Sequence, residues 1–140
     1  MKDERARMKA EGKTRGAMPR GSTELLVRTK RFALSVINLY SALPGNTVCQ
    51  VLGKQLLRSA TSVGAHYREA QRAKSTPDFI SKVEGSLQEL DETLYWLELL
   101  EESETADRAS VIPLKSEAGE LLAIFVTIAK SAKRTLTKGK

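Results

Sequence analysis

The chain predicts an all-α protein, an antiparallel four-helix bundle in up-down-up-down order. Three observations lead there. Four stretches carry apolar residues at helical spacing, each is closed by a short run of breaker residues, and no stretch alternates apolar and polar residues as a half-buried strand would. The 140 residues suit one domain, and 41% apolar content with only four prolines is enough for a packed core.

The elements follow in order. Residues 1–22 mix Lys, Arg, Glu and Gly without an apolar period and read as a disordered basic tail. Ser22 or Thr23 offers an N-cap, and Leu25, Phe32, Val36, Leu39 and Leu43 then mark a first helix, stopped by Pro44-Gly45-Asn46. Thr47 with Gln50 has the form of a capping box and opens a second helix that reaches about Lys74. Thr76 is placed to cap the third helix, with Pro77 at its first position and Asp78 favourable at the positive helix end. Ile80, Val83, Leu87, Leu90, Leu94 and Leu97 then form a heptad seam. Residues 101–110 read as a frayed end and loop. The fourth helix starts near Pro113 and carries Leu114, Ala118, Leu121, Phe125, Ile128 and Ala132. The bundle is expected over 23–136, with 137–140 a short tail. Each helix of roughly 20–26 residues would span about 30–40 Å.

Charge is placed unevenly. The net charge is +6, yet residues 1–22 carry seven Lys/Arg against three acids, and 130–140 carry five Lys/Arg and no acid. The body between has eleven bases and fourteen acids and is mildly acidic. Basic ends can hold a polyanion, although a solvated tail has the same composition. No run of about 18 apolar residues is present to span a membrane. The start of the chain has no secretory pattern. The single Cys49 cannot form an internal disulfide, which points to a reducing cytoplasm.

Two stripes emerge when the helices are placed at about 100° per residue. On the second helix Lys54, Arg58, Arg68 and Arg72 share one arc with Thr61 and Ala65. Val48, Leu52, Leu56, Ser59, Ala60, Val63, Tyr67 and Ala70 occupy the opposite arc. Ser59, Ala60, Ser62, Gly64 and Ala65 form a small-residue waist that lets another helix approach closely. On the third helix Glu84, Asp91, Glu98 and Glu102 form an acidic line that includes Tyr95. These stripes have three readings: solvated faces with weak exposed ion pairs, docking of one subunit's basic line on another's acidic line, or phosphate binding along the arginines. Trp96 and Leu99 lie off the heptad seam; they either widen the core or, if exposed, centre a subunit interface with Glu84, Asp91, Tyr95 and Glu98. The C-terminal cations Lys130, Lys133 and Arg134 extend the basic surface.

No pattern of residues points to catalysis, a metal or a cofactor. Gly12-Lys13-Thr14 resembles the end of a phosphate-binding loop, but the glycine that motif needs five positions earlier is Arg7. The only histidine, His66, has Val63 three residues before it, not the glutamate of a di-iron bundle, and reads as a packed or boundary residue. Glu89 and Glu92 read as surface carboxylates without a companion nucleophile. Cys49 sits where a helix dipole could lower its pKa, but a buried, idle thiol fits the position as well. One cysteine and one histidine leave no structural zinc set.

Gln55-Leu56-Leu57-Arg58-Ser59-Ala60-Thr61-Ser62-Val63, then Arg68-Glu69-Ala70, then Phe79 through Lys82 with Glu84, Ser86, Glu89, Glu92, Thr93 and Trp96-Leu97, resemble a known family. So does Leu43-Pro44 at the first turn. The chain resembles, over roughly residues 25–135, the four-helix-bundle proteins encoded in intervening sequences of bacterial 23S rRNA genes. The resemblance implies an up-down bundle that self-assembles, often as a homopentamer, with a role at nucleic acid. A related accessory protein of diversity-generating retroelements is a basic pentameric barrel that works with a reverse transcriptase on RNA. Here His66 and Tyr67 depart from the family's usual small polar and apolar pair, and the folded body is net negative. The expectation is therefore a non-enzymatic, cytoplasmic, self-assembling bundle binding RNA weakly through Lys54, Arg58, Arg68, Arg72, Lys130, Lys133 and Arg134. The alternative is a protein-interaction scaffold, or an accessory factor to a partner enzyme such as a reverse transcriptase, without RNA affinity of its own.

Overall fold

The computed structural model describes residues 20–138, all of whose regular elements are α-helices. Of the disordered tail expected over 1–22, residues 1–19, with the Gly12-Lys13-Thr14 segment, lie outside the described residues, as do the last two residues of the chain, whereas residues 20–22 belong to the first helix. The helices are α1 (Arg20–Ala42), α2 (Thr47–Ala70), α3 (Thr76–Glu102) and α4 (Arg108–Lys138).

Side-chain partners show that neighbours run in opposite directions. Along α1 and α2, Tyr40 meets Gln50 while Thr29 meets Gly64. Along α2 and α3, Cys49 meets Thr105, Ser59 meets Thr93 and Val63 meets Ser86. Along α3 and α4, Glu101 meets Lys115 and Glu84 meets Lys133. Arg28 to Glu117 closes the ring between α1 and α4, the least extensive of the four helix contacts. The result is an up-down-up-down bundle.

The helix ends differ from expectation, each for a local reason. Ser22 and Thr23 lie inside α1, which begins at Arg20. Asn46, not Thr47, caps α2: its extended backbone lets Oδ1 accept from the Cys49 amide at 2.9 Å. Gln50 does not reach back; its Oε1 accepts from the Tyr40 hydroxyl instead. Helix α2 ends at Ala70, so Arg72 stands in the following turn. Ser75 rather than Thr76 caps α3, its Oγ accepting from the Asp78 amide. The loop expected over 101–110 shrinks to residues 103–107, where Glu104 takes the left-handed conformation (φ 58°) common just past a helix end. Helix α4 then starts at Arg108, five residues before Pro113, with the carboxylate of the preceding Asp107 meeting the Ala109 amide and the Ser110 hydroxyl. Pro113 sits inside the helix on an exposed position. At the other end α4 continues to Lys138.

The core takes Leu25, Phe32, Val36 and Leu39 from α1 and Leu114, Ala118, Leu121 and Phe125 from α4, as their spacing predicts. Tyr67 packs edge-on against Phe125 with ring centroids 5.3 Å apart, and burial pushes its phenol up to about 12. On α3 the buried face is rotated from the heptad seam. Leu87 and Leu94 are half-buried, whereas Ser86, Thr93 and Leu100 are fully buried. The cause is the short side chains of α2. Thr93 Oγ1 donates to Glu89 O at 2.7 Å and reaches Ser59 Oγ at 2.9 Å, and Ser86 Oγ donates to Val63 O at 2.9 Å. These bonds satisfy the buried hydroxyls and allow close packing. Val48, expected on the apolar arc, is 47% exposed. Cys49 is buried, its thiol donating to Thr105 O.

Candidate functional site

The basic residues of α2 do not form one stripe. Lys54, Arg58 and Arg68 are exposed on the helix and Arg72 is exposed in the turn beyond it. Arg58 leans over α3, where its guanidinium lies 3.1 Å from Glu92 and 3.7 Å from Glu89. Arg68 and Arg72 lie on the other side, along a groove between α1 and α2 that Lys30 also borders. So the arc divides into an engaged arginine and cations that have no carboxylate within 4 Å among the described residues. Lys54 belongs to the second group.

At the C-terminal end Lys130, Lys133 and Arg134 are all exposed on α4. Lys133 is tied to Glu84 of α3 at 2.8 Å. That pair joins a residue expected to contact nucleic acid to one expected at a subunit interface, within a single chain. Asp91, Tyr95 and Glu98 are exposed on the outer side of α3. Trp96 and Leu99 are half-buried. Trp96 packs against the core with the Tyr95 ring edge-on at 5.1 Å, and its indole N–H is buried with no hydrogen-bond partner among the described residues.

The α2–α3 seam holds a polar cluster that the sequence reading misjudged. Glu89 keeps only 13% of its side-chain exposure and faces both Arg58 and His66, so it is no surface carboxylate. Its pKa is raised, first by burial and then by a hydrogen bond with Glu92, while Arg58 and His66 oppose the rise. His66 is a boundary residue, as expected. Its ring lies over Gly85, where a Cβ would come within 3.1 Å of Nδ1, and it stands 3.6 Å from Glu69 and 3.7 Å from Glu89. The available signal was spacing: Glu89 lies three residues after Ser86 and four before Thr93, on the side of α3 that turns to the small waist of α2. The cluster binds two helices together. Among the described residues no three His, Cys, Asp or Glu side chains converge as a metal site.

The groove between α1 and α2 is a concave feature of about 520 Å³. Its floor is short: Ala33, Thr61, Gly64 and Ala65 cannot fill the space between the helices. Thr29 and Thr61 spend their hydroxyl protons on the carbonyls of Leu25 and Leu57, both at 2.8 Å. Donors at the rim are then the cations Lys30, Arg68 and Arg72.

The model of the 23S rRNA-intervening sequence proteins matches residues 23–127. The chain belongs to that family. Within it, a solved crystal structure at 1.70 Å, of a protein of unknown function from the S23 ribosomal protein family of Bacteroides thetaiotaomicron VPI-5482, is similar to this chain. The two share 38% identity with a TM-score of 0.70, over 75% of this chain and 97% of the other. No curated protein matches the chain. The 23S rRNA-intervening sequence fold thus accounts for the four helices, and none of those described is long and apolar enough to cross a membrane.

Proposed function

We propose that this member of the 23S rRNA-intervening sequence family is a non-enzymatic, self-assembling bundle that binds RNA weakly through its basic surfaces in the cytoplasm. The observation that carries this reading is the contrast among its cations. Arg28, Arg58, Lys82, Arg108, Lys115 and Lys133 each have a carboxylate within 4 Å. Lys54, Arg68, Arg72, Lys130 and Arg134 have none among the described residues and are exposed. Cations without internal partners are the ones free to replace counterions on a phosphate backbone. In this reading Arg58 and Lys133, tied to Glu92 and Glu84, link helices and contribute less to phosphate binding.

Fluorescence anisotropy against a structured RNA over a salt series tests this. Binding should weaken steeply with salt, and Lys130→Gln with Arg134→Gln should weaken it further and flatten the slope. Absence of binding at low salt would sink the RNA reading and leave a protein-interaction scaffold, or an accessory factor to a partner enzyme such as a reverse transcriptase.

A further inference from the structure

We infer that the groove between α1 and α2 seats an unpaired nucleic-acid segment, with its phosphates on Lys30, Arg68 and Arg72. This rests on the RNA reading above and gives it a place and a strand type. Lys30 comes from α1, Arg68 from α2 and Arg72 from the turn after α2, so cations stand on both walls of one depression. None of the three has a carboxylate within 4 Å among the described residues. The one acid that borders the groove, Glu69, is turned to Lys82 at 3.8 Å and His66 at 3.6 Å. The rim therefore carries three cations against one acid that is engaged elsewhere, and two of the three cations present the fork of donors that suits a phosphate.

The floor selects what the anion carries. Ala33, Gly64 and Ala65, with Thr29 and Thr61 whose hydroxyl protons go to backbone carbonyls, form a short, largely apolar surface. The volume of about 520 Å³ falls in the range of clefts that hold a small organic group. A duplex turns its bases inward and offers this floor nothing. An unpaired strand can lay a base or ribose on it while adjacent phosphates reach the rim. The bottom is closed, because α1 approaches α2 so closely there that a Cβ on Gly64 would come 3.1 Å from Thr29 Oγ1. The acidic line of a second copy has the right charge for the rim, but carboxylates on a helix face leave the floor unfilled.

The test uses the full chain and fluorescein-labelled U20 RNA, with affinity measured from low to moderate salt. Two variants separate charge from shape: Lys30→Gln/Arg68→Gln/Arg72→Gln removes the rim, and Ala65→Leu fills the floor with the charges intact. The triple variant should lose at least about tenfold in affinity, and its log K against log salt should flatten by about two, at about 0.7 per phosphate for single strands. Ala65→Leu should weaken binding severalfold with the slope unchanged, and Arg31→Gln, outside the groove, should match wild type. If wild type binds and the triple variant binds equally well, the groove is overturned while RNA binding through other cations stands. If wild type does not bind U20 at all, the groove inference falls, and if the structured RNA also fails to bind at low salt the RNA reading falls with it. If the triple variant keeps its RNA affinity but loses oligomer mass in light scattering, the groove holds a second copy and the inference is wrong.

Discussion

At the scale of single residues, Glu89 is the clearest instance of a side chain whose meaning depends on its surroundings. Its folded pKa lies above the ordinary 4.5 because burial disfavours the charged form. A raised carboxylate pKa means that the folded state holds the proton longer than the unfolded chain. The stability linked to it is complete below 4.5 and is lost as pH rises through the folded value. Glu89→Gln mimics the protonated form, so its unfolding midpoint should match wild type at low pH. It should then gain on wild type above 4.5, by about 1 kcal/mol or less given the partial solvation of the cluster. A urea series at several pH values checks this, and a constant difference would show that Glu89 does not titrate there. Glycines make a second contrast at this scale. A Cβ on Gly53 would stand 2.8 Å from both Leu43 and the Tyr40 ring, whereas one on Gly119 meets nothing within 4 Å. Gly119→Ala should stabilise α4 by about 0.5–1 kcal/mol through helix propensity alone. Gly53→Ala should lose about 1 kcal/mol net, the overpacking outweighing that gain. Thermal unfolding of the pair reads both signs.

At the scale of elements, α1 is the helix held least firmly. It touches α4 least of any neighbouring pair, and the polar link between them is Arg28. That guanidinium forms a two-pronged pair with Glu117, Nε and Nη2 each 2.8 Å from a carboxylate oxygen, and adds Glu120 at 3.1 Å. The hydrogen bond to Glu117 raises the Arg28 pKa further above its ordinary value. Both side chains retain about a third of their exposure, so solvent screens the pair. Arg28→Ala should therefore cost only about 1 kcal/mol, and a double-mutant cycle with Glu117→Gln should return most of it as coupling. Faster amide exchange in α1 than in α3 would accompany the loss. Strict additivity would show that the fork contributes nothing. Two residues before Glu117 on α4, Lys115 holds Glu101 together with Arg108, and the Glu101 carboxyl pKa is lowered chiefly by the hydrogen bond from Lys115 at 2.7 Å.

At the scale of the whole molecule, the proposed self-assembly needs a surface on which copies would meet. The body exposes Tyr95 to 53%, Val51 to 55% and Leu34 to 51%. Self-assembly, with the pentamer as the expected state, would cover Tyr95 together with Asp91 and Glu98. Tyr95→Glu should then lower the mass seen by light scattering while helical content holds. A variant that keeps the wild-type mass would move the interface off this face of α3. Arg58→Glu is a poor probe of either assembly or RNA, since it would place a third acid beside Glu89 and Glu92.

How much was legible follows from the kind of information each feature needs. Helix number, the breaks at Pro44 and Ser75, and the cores of α1 and α4 follow from the sequence by itself, because period and breaker chemistry act within one segment. Caps were missed by one residue where two capping side chains stood side by side, as at Asn46-Thr47 and Ser75-Thr76. Only the tertiary structure decided the rest. It rotated α3 so that Ser86 and Thr93 are buried, divided the arginines of α2 into engaged and unpaired, and brought Lys30 to Arg68 and Arg72. The physical reason is common to all three. A charge is free or paired, and a hydroxyl is buried or wet, according to what a second helix places opposite it, and that register is set by packing between segments distant in the chain.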